Sequence, residues 1–262
     1  MSVLTSAAFV QALVWSAVTI AVILAITYAV AKRLGRHSVI DVVWGLLFCA
    51  AAVATFIASS GRGDAPRRWL LLSLTLVWGI RLAVHIGRRS RGKGEDPRYE
   101  ALREDRGELG TIMVVYVLQG VLAYVVSAPL LVGSFEESSL GPLAFAGIAI
   151  WLLGLVFEAV GDQQLEKYKA DPDRGPVMDR GLWRYTRHPN YFGDACIWIG
   201  IFMVTAEHWP GVLTVFSPAI MVYLLAFGSG KRVLERHMAD RPGYRDYMRR
   251  TSGFLPLPPR AI

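Results

Sequence analysis

Charge and cysteine are what this sequence has little of. Asp, Glu, Lys and Arg make up 19% of the residues and hydrophobic residues 53%, with a mean hydropathy of +0.38. That balance excludes an ordinary soluble domain and fits a chain that crosses a membrane several times. The two cysteines, Cys49 and Cys196, both fall inside apolar segments. They read as small buried side chains, so no disulfide framework or zinc site is expected. No CxxC, HExxH, P-loop or GxGxxG pattern occurs, so a cofactor would have to be held without a soluble dinucleotide-binding fold. No histidine–carboxylate cluster has metal-ligand spacing, and no metal is expected.

What the chain does have is long apolar runs. A spanning helix needs roughly 20 apolar residues, and seven segments approach that length: 7–31, 39–59, 69–87, 112–132, 141–161, 190–206 and 209–229. The first is too long for a signal peptide and is followed by no small-residue cleavage site, so it reads as a membrane helix. The expected fold is an all-α bundle of about seven transmembrane helices, a single membrane-embedded domain over 1–262. Polar connections are expected at 32–38, 60–68, 88–111, 133–140, 162–189 and 230–262.

Basic residues set the expected orientation. Of 28 Lys and Arg, 24 lie in 32–37, 88–106, 167–187 and 231–260, which share one side if there are seven spans. The positive-inside rule then places the N-terminus outside and the C-terminus in the cytoplasm. The formal charge of +7 mostly reflects this asymmetry. Nucleic acid is not an expected partner, because the basic loops also carry acids and hug the membrane.

Residues 180–194, RGLWRYTRHPNYFGD, gather the densest chemistry in the chain. Pro189 disfavours helix at His188 and suits a first helical turn, so a helix is expected to begin near Asn190. Free backbone N–H groups at that start, with Arg184 and Arg187 beside them, suit an anion. Trp183, Tyr185 and Tyr191 offer flat faces for a ring. The stretch reads either as a nucleotide site or as a basic, aromatic belt that anchors a helix among headgroups.

The segment GLWRYTRHPNYFGD resembles the signature of membrane reductases that use NADPH on steroids and sterols, the steroid 5α-reductases and sterol C14-reductases. A cousin of it occurs in isoprenylcysteine carboxyl methyltransferases, which use S-adenosylmethionine. The resemblance is strongest over 78–256 and only topological before that. It implies that cytoplasmic loops and the C-terminal tail form a nucleotide site, with Arg180, Trp183, Tyr185, Arg187, His188, Asn190, Tyr191 and Asp194 around NADPH.

Three further stretches carry the likeness. Glu158 and Asp162, four apart at the end of the fifth segment, with Lys169 beyond, match an acid–aspartate–base arrangement around the cofactor. The alternative is that Asp162 snorkels to the interface and pairs with a lysine. In the tail, Glu235, Arg236, Tyr247 and Arg249 fall in a pattern that closes over the nucleotide in relatives; a lipid-surface amphipathic helix is the other reading. Upstream, Arg81, His85 and Arg89 share a stripe resembling the third helix of 5α-reductases, and Val117-Leu118-Gln119-Gly120 resembles the fourth. Arg98, in the charged turn 95–99, would serve a phosphate or simply be solvated. Asp41 is the expected counter-charge for Arg81 by depth.

The catalytic candidates are Asp41, Trp78, Tyr116 and Gln119. Trp78 stands where 5α-reductases place a tyrosine that polarises the substrate carbonyl. An indole N–H donates a hydrogen bond but is no general acid, so a steroid enone handled in that way is not the expected substrate. The expectation is a membrane oxidoreductase that reduces an activated C=C bond of a lipid or sterol-like molecule with NADPH. Two alternatives stay open: an S-adenosylmethionine-dependent lipid or prenyl methyltransferase, and a non-catalytic lipid-binding protein.

Overall fold

A computed structural model describes residues 6–228 and 230–260. Helix accounts for 75% of the chain and no strand forms among the described residues, as an all-α reading requires. Five helical runs are long and apolar enough to cross a membrane: Ala7–Leu34, Val39–Ala58, Ala65–Ser90, Pro97–Gly133 and Pro142–Ala170. The protein is therefore a helical, multi-pass membrane protein. The last two expected spans form shorter helices, Pro189–Thr205 of 17 residues and Gly211–Ala226.

The chain divides into two compact units, Met1–Gly141 with Val204–Thr214, and Pro142–Met203 with Val215–Ile262. The first holds α1 (Ala7–Leu34), α2 (Val39–Ala58), α3 (Ala65–Ser90), α4 (Pro97–Thr111), a π-helical turn (Ile112–Val117), α5 (Leu118–Val126) and α6 (Ala128–Gly133). Gly45 on α2 and Gly79 on α3 let the two backbones meet; a Cβ on Gly45 would lie 2.6 Å from the Gly79 carbonyl oxygen. Polar sequence between 88 and 111 forms more helix than expected. Asp96 caps the amide of Arg98 and Pro97 opens α4, so only 91–96 is left as loop. At Gly107 (φ 66°, ψ −174°) that helix bends, a conformation open to glycine.

Arg67 pins the opposite end of this unit. It is fully buried, donates to the carbonyls of Val204, Ser138 and Ser139, and meets the Glu207 carboxylate at 3.4 Å. Glu207 in turn accepts from the Gly141 amide at 2.8 Å. A guanidinium held away from water needs such a ring of acceptors, because an unpaired buried charge is strongly destabilising.

The second unit is built on α7 (Pro142–Ala170) and α8 (Pro189–Thr205), with α9 (Phe216–Ala226), α10 (Lys231–Met238) and α11 (Tyr244–Arg250) following. Glycines seven residues apart make the α7–α8 seam. Gly147 meets Gly200, Gly154 meets Gly193, and Gly161 meets Pro189, so the two helices run antiparallel. A Cβ on Gly193 would lie 2.5 Å from the Gly154 carbonyl oxygen and 2.9 Å from the Glu158 Cβ. In a lipid-embedded pair, close packing of this kind replaces the hydrophobic effect as the source of association.

Candidate functional site

The glycine seam brings three polar side chains of the second unit together. Glu158 and Asp162 sit one turn apart on α7 and are 3% and 7% exposed. From α8, the Asn190 side-chain amide donates to Asp162 Oδ1 at 3.3 Å, and Asn190 Oδ1 accepts from the Tyr191 amide at 3.1 Å. This changes one expectation: the Tyr191 N–H at the start of α8 is already taken by its neighbour. Asp194, one turn further on, is buried as well.

The connection from α7 to α8 is threaded by the C-terminal tail. Leu182 N–H bonds Gln164 Oε1 at 2.9 Å, and Trp183 is buried with its indole N–H on the Gly161 carbonyl at 3.0 Å. The Tyr247 hydroxyl donates to the Trp183 carbonyl at 2.5 Å. Thr186 donates to the Phe254 carbonyl at 2.8 Å, and the Arg187 amide to that of Ser252 at 2.9 Å. The Leu257 amide closes on the Tyr185 carbonyl at 3.0 Å.

Arg187 faces inward. Its Nε donates to Glu235 Oε1 at 2.7 Å and its Nη1 to the carbonyls of Met248, at 3.0 Å, and Thr251. His188, 2% exposed, shares the same carboxylate through Nε2 at 3.1 Å and stacks on Tyr191 with ring centroids 5.3 Å apart. Burial pulls the His188 pKa below its ordinary value against the opposing pull of Glu235. Burial raises the Glu235 carboxyl, yet the bonds from His188 and Arg187 outweigh it and hold the group at about 2. Glu235 is thus an anion at neutral pH, and His188 presents Nε2–H to it with Nδ1 as its free lone pair.

Around this core several expected cofactor contacts face outward. Arg180, Arg184, Tyr185, Arg236, Lys169 and Arg249 are exposed. Arg249 pairs with Asp246, whereas the guanidiniums of Arg180, Arg184 and Arg236 make no hydrogen bond or ion pair among the described residues. Arg180 also lines a cleft of about 260 Å³ with Tyr168, Arg174, Met178 and Arg250.

The remaining candidates lie in the first unit. Trp78 is completely buried and packs on Phe48 at 5.5 Å. Arg81 and His85 are half-buried on α3, and Arg89 is exposed at its end. Asp41 is not paired with Arg81 as depth suggested. Its carboxylate accepts from the Tyr99 hydroxyl and from Arg98 Nη2 at 3.1 Å. The reason is the unexpected α4: its first turn carries Arg98 and Tyr99 to the start of α2. Gln119 lies near the same tyrosine hydroxyl, and the Arg98 guanidinium lies 5.6 Å from the Tyr99 ring centroid. Tyr116 is engaged separately, its hydroxyl 2.9 Å from His37 Nδ1.

Tyr99, His37 and Glu95 were not singled out as functional by sequence. The spacing of Asp96 and Pro97 before an amphipathic run held the signal for α4, and hence for Tyr99. Nothing in the sequence pointed to His37. Among the described residues no group of three or more His, Cys, Asp or Glu side chains could hold a metal ion.

These features define a helical membrane protein with a tail-clasped polar cluster in its second unit, and the comparisons agree in class. Residues 27–251 match the family described as Protein of unknown function (DUF1295), and the chain belongs to that family, which is steroid 5α-reductase-like. It is 22% identical over 249 residues to "Uncharacterized protein C594.04c" of Schizosaccharomyces pombe, covering 84% of this chain and 72% of the relative. No solved structure matches the chain.

Proposed function

We propose that this protein is an NADPH-dependent membrane reductase that saturates an activated C=C bond of a lipid or sterol-like substrate. The observation that carries the reading is the pairing, within one unit, of two buried carboxylates and a half-buried amide (Glu158, Asp162, Asn190) with three uncommitted guanidiniums (Arg180, Arg184, Arg236). A dinucleotide phosphate needs both kinds of partner: acceptors and an amide for its hydroxyl and carboxamide groups, cations for its phosphates. S-adenosylmethionine carries no phosphate and would leave the guanidiniums without a ligand. The donor set therefore fits NADPH, which when bound supplies a hydride.

On this reading Asn190 and Asp162 orient the polar end of the nucleotide and the exposed arginines hold its phosphates. Arg187, His188 and Glu235 keep the tail over the motif. Reduction of C=C also needs a proton, or a donor to the group on which negative charge develops. Trp78 packs against Phe48.

The test is titration of NADPH, NADH and S-adenosylmethionine against the purified protein and its variants by calorimetry. Asn190→Ala should weaken both nicotinamide nucleotides alike. Loss of the arginine that meets the 2′-phosphate should collapse the preference for NADPH by about ten- to hundredfold, the weight of one charge-assisted hydrogen bond. Binding of S-adenosylmethionine with neither nucleotide would replace this reading with methyl transfer. Binding of none of the three would leave a lipid-binding protein.

A further inference from the structure

The corner of the first unit where α1 gives way to α2 and α3 ends is strongly basic, and its acids are already spent. Arg36 donates from Nη2 to the Ser90 carbonyl at 3.4 Å, tying the α1–α2 connection to the last turn of α3. Beyond it, the Arg91 amide bonds the Arg88 carbonyl and the Lys93 amide bonds that of Ser90, both at 3.3 Å. These turns carry Arg88, Arg91 and Lys93 on the surface.

Three carboxylates are close enough in the fold to neutralise them, and each is engaged elsewhere. Glu95 accepts from the amides of Ser38 (2.9 Å), Asp96 (3.0 Å) and His37, filling the start of α2. Burial raises its carboxyl, but hydrogen bonds from Ser38, His37 and Asp96 prevail and hold it below its ordinary value. Asp96 caps α4 and pairs with Arg98 at 3.0 Å, and Asp41 is held by Tyr99 and Arg98. Among the described residues Arg36, Arg88, Arg91 and Lys93 have no carboxylate partner, and the Arg36 Nε is buried without an acceptor.

We propose that this corner binds the phosphodiester headgroup of an anionic phospholipid. Two apolar helices end here and a third begins, at Leu34, Ser90 and Val39, which sets the four cations at the depth where headgroups lie. Guanidinium groups meet phosphate oxygens in a planar, two-pronged geometry. A topological excess of positive charge needs no particular arrangement. Here the neighbouring acids are withdrawn into helix caps, so an outside anion is what relieves repulsion among four clustered cations. The site rests on the membrane reading and is independent of the nucleotide.

The experiment is native mass spectrometry and thermal melting of the full chain in neutral detergent. Phosphatidylglycerol, phosphatidylcholine or inorganic phosphate is added in turn. Phosphatidylglycerol should be retained and raise the melting temperature, and phosphatidylcholine should not. The variant R36Q/R88Q/R91Q/K93Q should lose that preference by at least about tenfold. Equal effects of the two lipids, the same shift from inorganic phosphate alone, or an unchanged preference in the variant would each overturn the proposal. Should the variant not fold, wild type decides: the preference must fall between low salt and about 1 M salt, where the screening length shrinks to about 3 Å. A preference indifferent to salt would sink the idea.

Discussion

Asn190 reaches across from α8 to Asp162 on α7, amide to carboxylate at 3.3 Å, directly beside the contact of Gly161 with Pro189. The polar pair exists because the glycine seam leaves no side chains to hold the helices apart. Packing and chemistry are therefore coupled through residues that carry no functional group.

The seam makes a sharp prediction. Gly193→Ala places a methyl 2.5 Å from the Gly154 carbonyl oxygen, and backbone cannot yield as a flexible side chain can. The helices must separate, at an expected cost of about 1–3 kcal/mol. Thermal melting should show the loss, with nucleotide affinity falling in parallel because Asn190 and Asp162 move apart. Unchanged melting would mean that the helices are not held by this contact.

A second prediction concerns acid. His188 has its pKa depressed from 6.5 and Glu235 from 4.5 to about 2. Both shifts favour the folded state at neutral pH. The His188 contribution is full above about pH 6.5 and is lost as pH falls through its lowered folded value. The Glu235 contribution is present above pH 4.5 and fades towards pH 2. Glu235→Gln should destabilise the protein by about 3 kcal/mol at pH 7.5, since Arg187 is left as a buried unpaired charge. The gap between wild type and variant should narrow as the pH of melting falls from about 4.5 towards 2, where Glu235 itself takes up a proton. A gap that stays constant over that range would mean that Glu235 is not an anion in the folded protein.

The third prediction concerns the contact that ties α4 to the start of α2. Tyr99→Phe removes the hydroxyl that Asp41 accepts from and should lower stability by about 1–3 kcal/mol in thermal melting. Asp41→Asn keeps an oxygen for the hydroxyl but loses the charge that Arg98 pairs with, so it should cost at least as much. Unchanged melting of both variants would mean that this contact does not hold the two helices together.

Topology supplies a fourth. An α8 of 17 residues is about 25 Å long, short of a hydrocarbon core of roughly 30 Å. Yet it lies antiparallel along α7, and Glu207, just past its end, bonds Gly141 just before α7 begins. A reporter at Trp209 should therefore fall on the same side as one within 133–139, opposite to one at 91–94. Trp209 on the side of 91–94 would reduce the count of spans below seven.

Much of the architecture was legible because apolar length is a one-dimensional property. All seven apolar segments form helices, and Pro189 opens α8 one residue before the expected place. Side-chain partners were less legible, because they depend on depth and rotation across sequence distance. Arg187 looked like an open phosphate ligand, since nothing near it in sequence discloses Glu235 or the Thr251 carbonyl. Asp41 was given to Arg81 by depth alone, whereas a capping aspartate and a proline at 96–97 raised a helix that delivered Arg98 and Tyr99 instead. The Gly147, Gly154 and Gly161 spacing was visible in sequence but went unread without Gly193 and Gly200 opposite.

The clasp between tail and motif bears on what a signature means. Trp183, Tyr185, Thr186 and Arg187 each give a backbone or side-chain group to a residue between 247 and 257. Selection on such a stretch would preserve a knot as stubbornly as it preserves a reaction. A protein could change its substrate, or abandon catalysis altogether, and still display the same letters in the same order, because they are what shuts the chain upon itself.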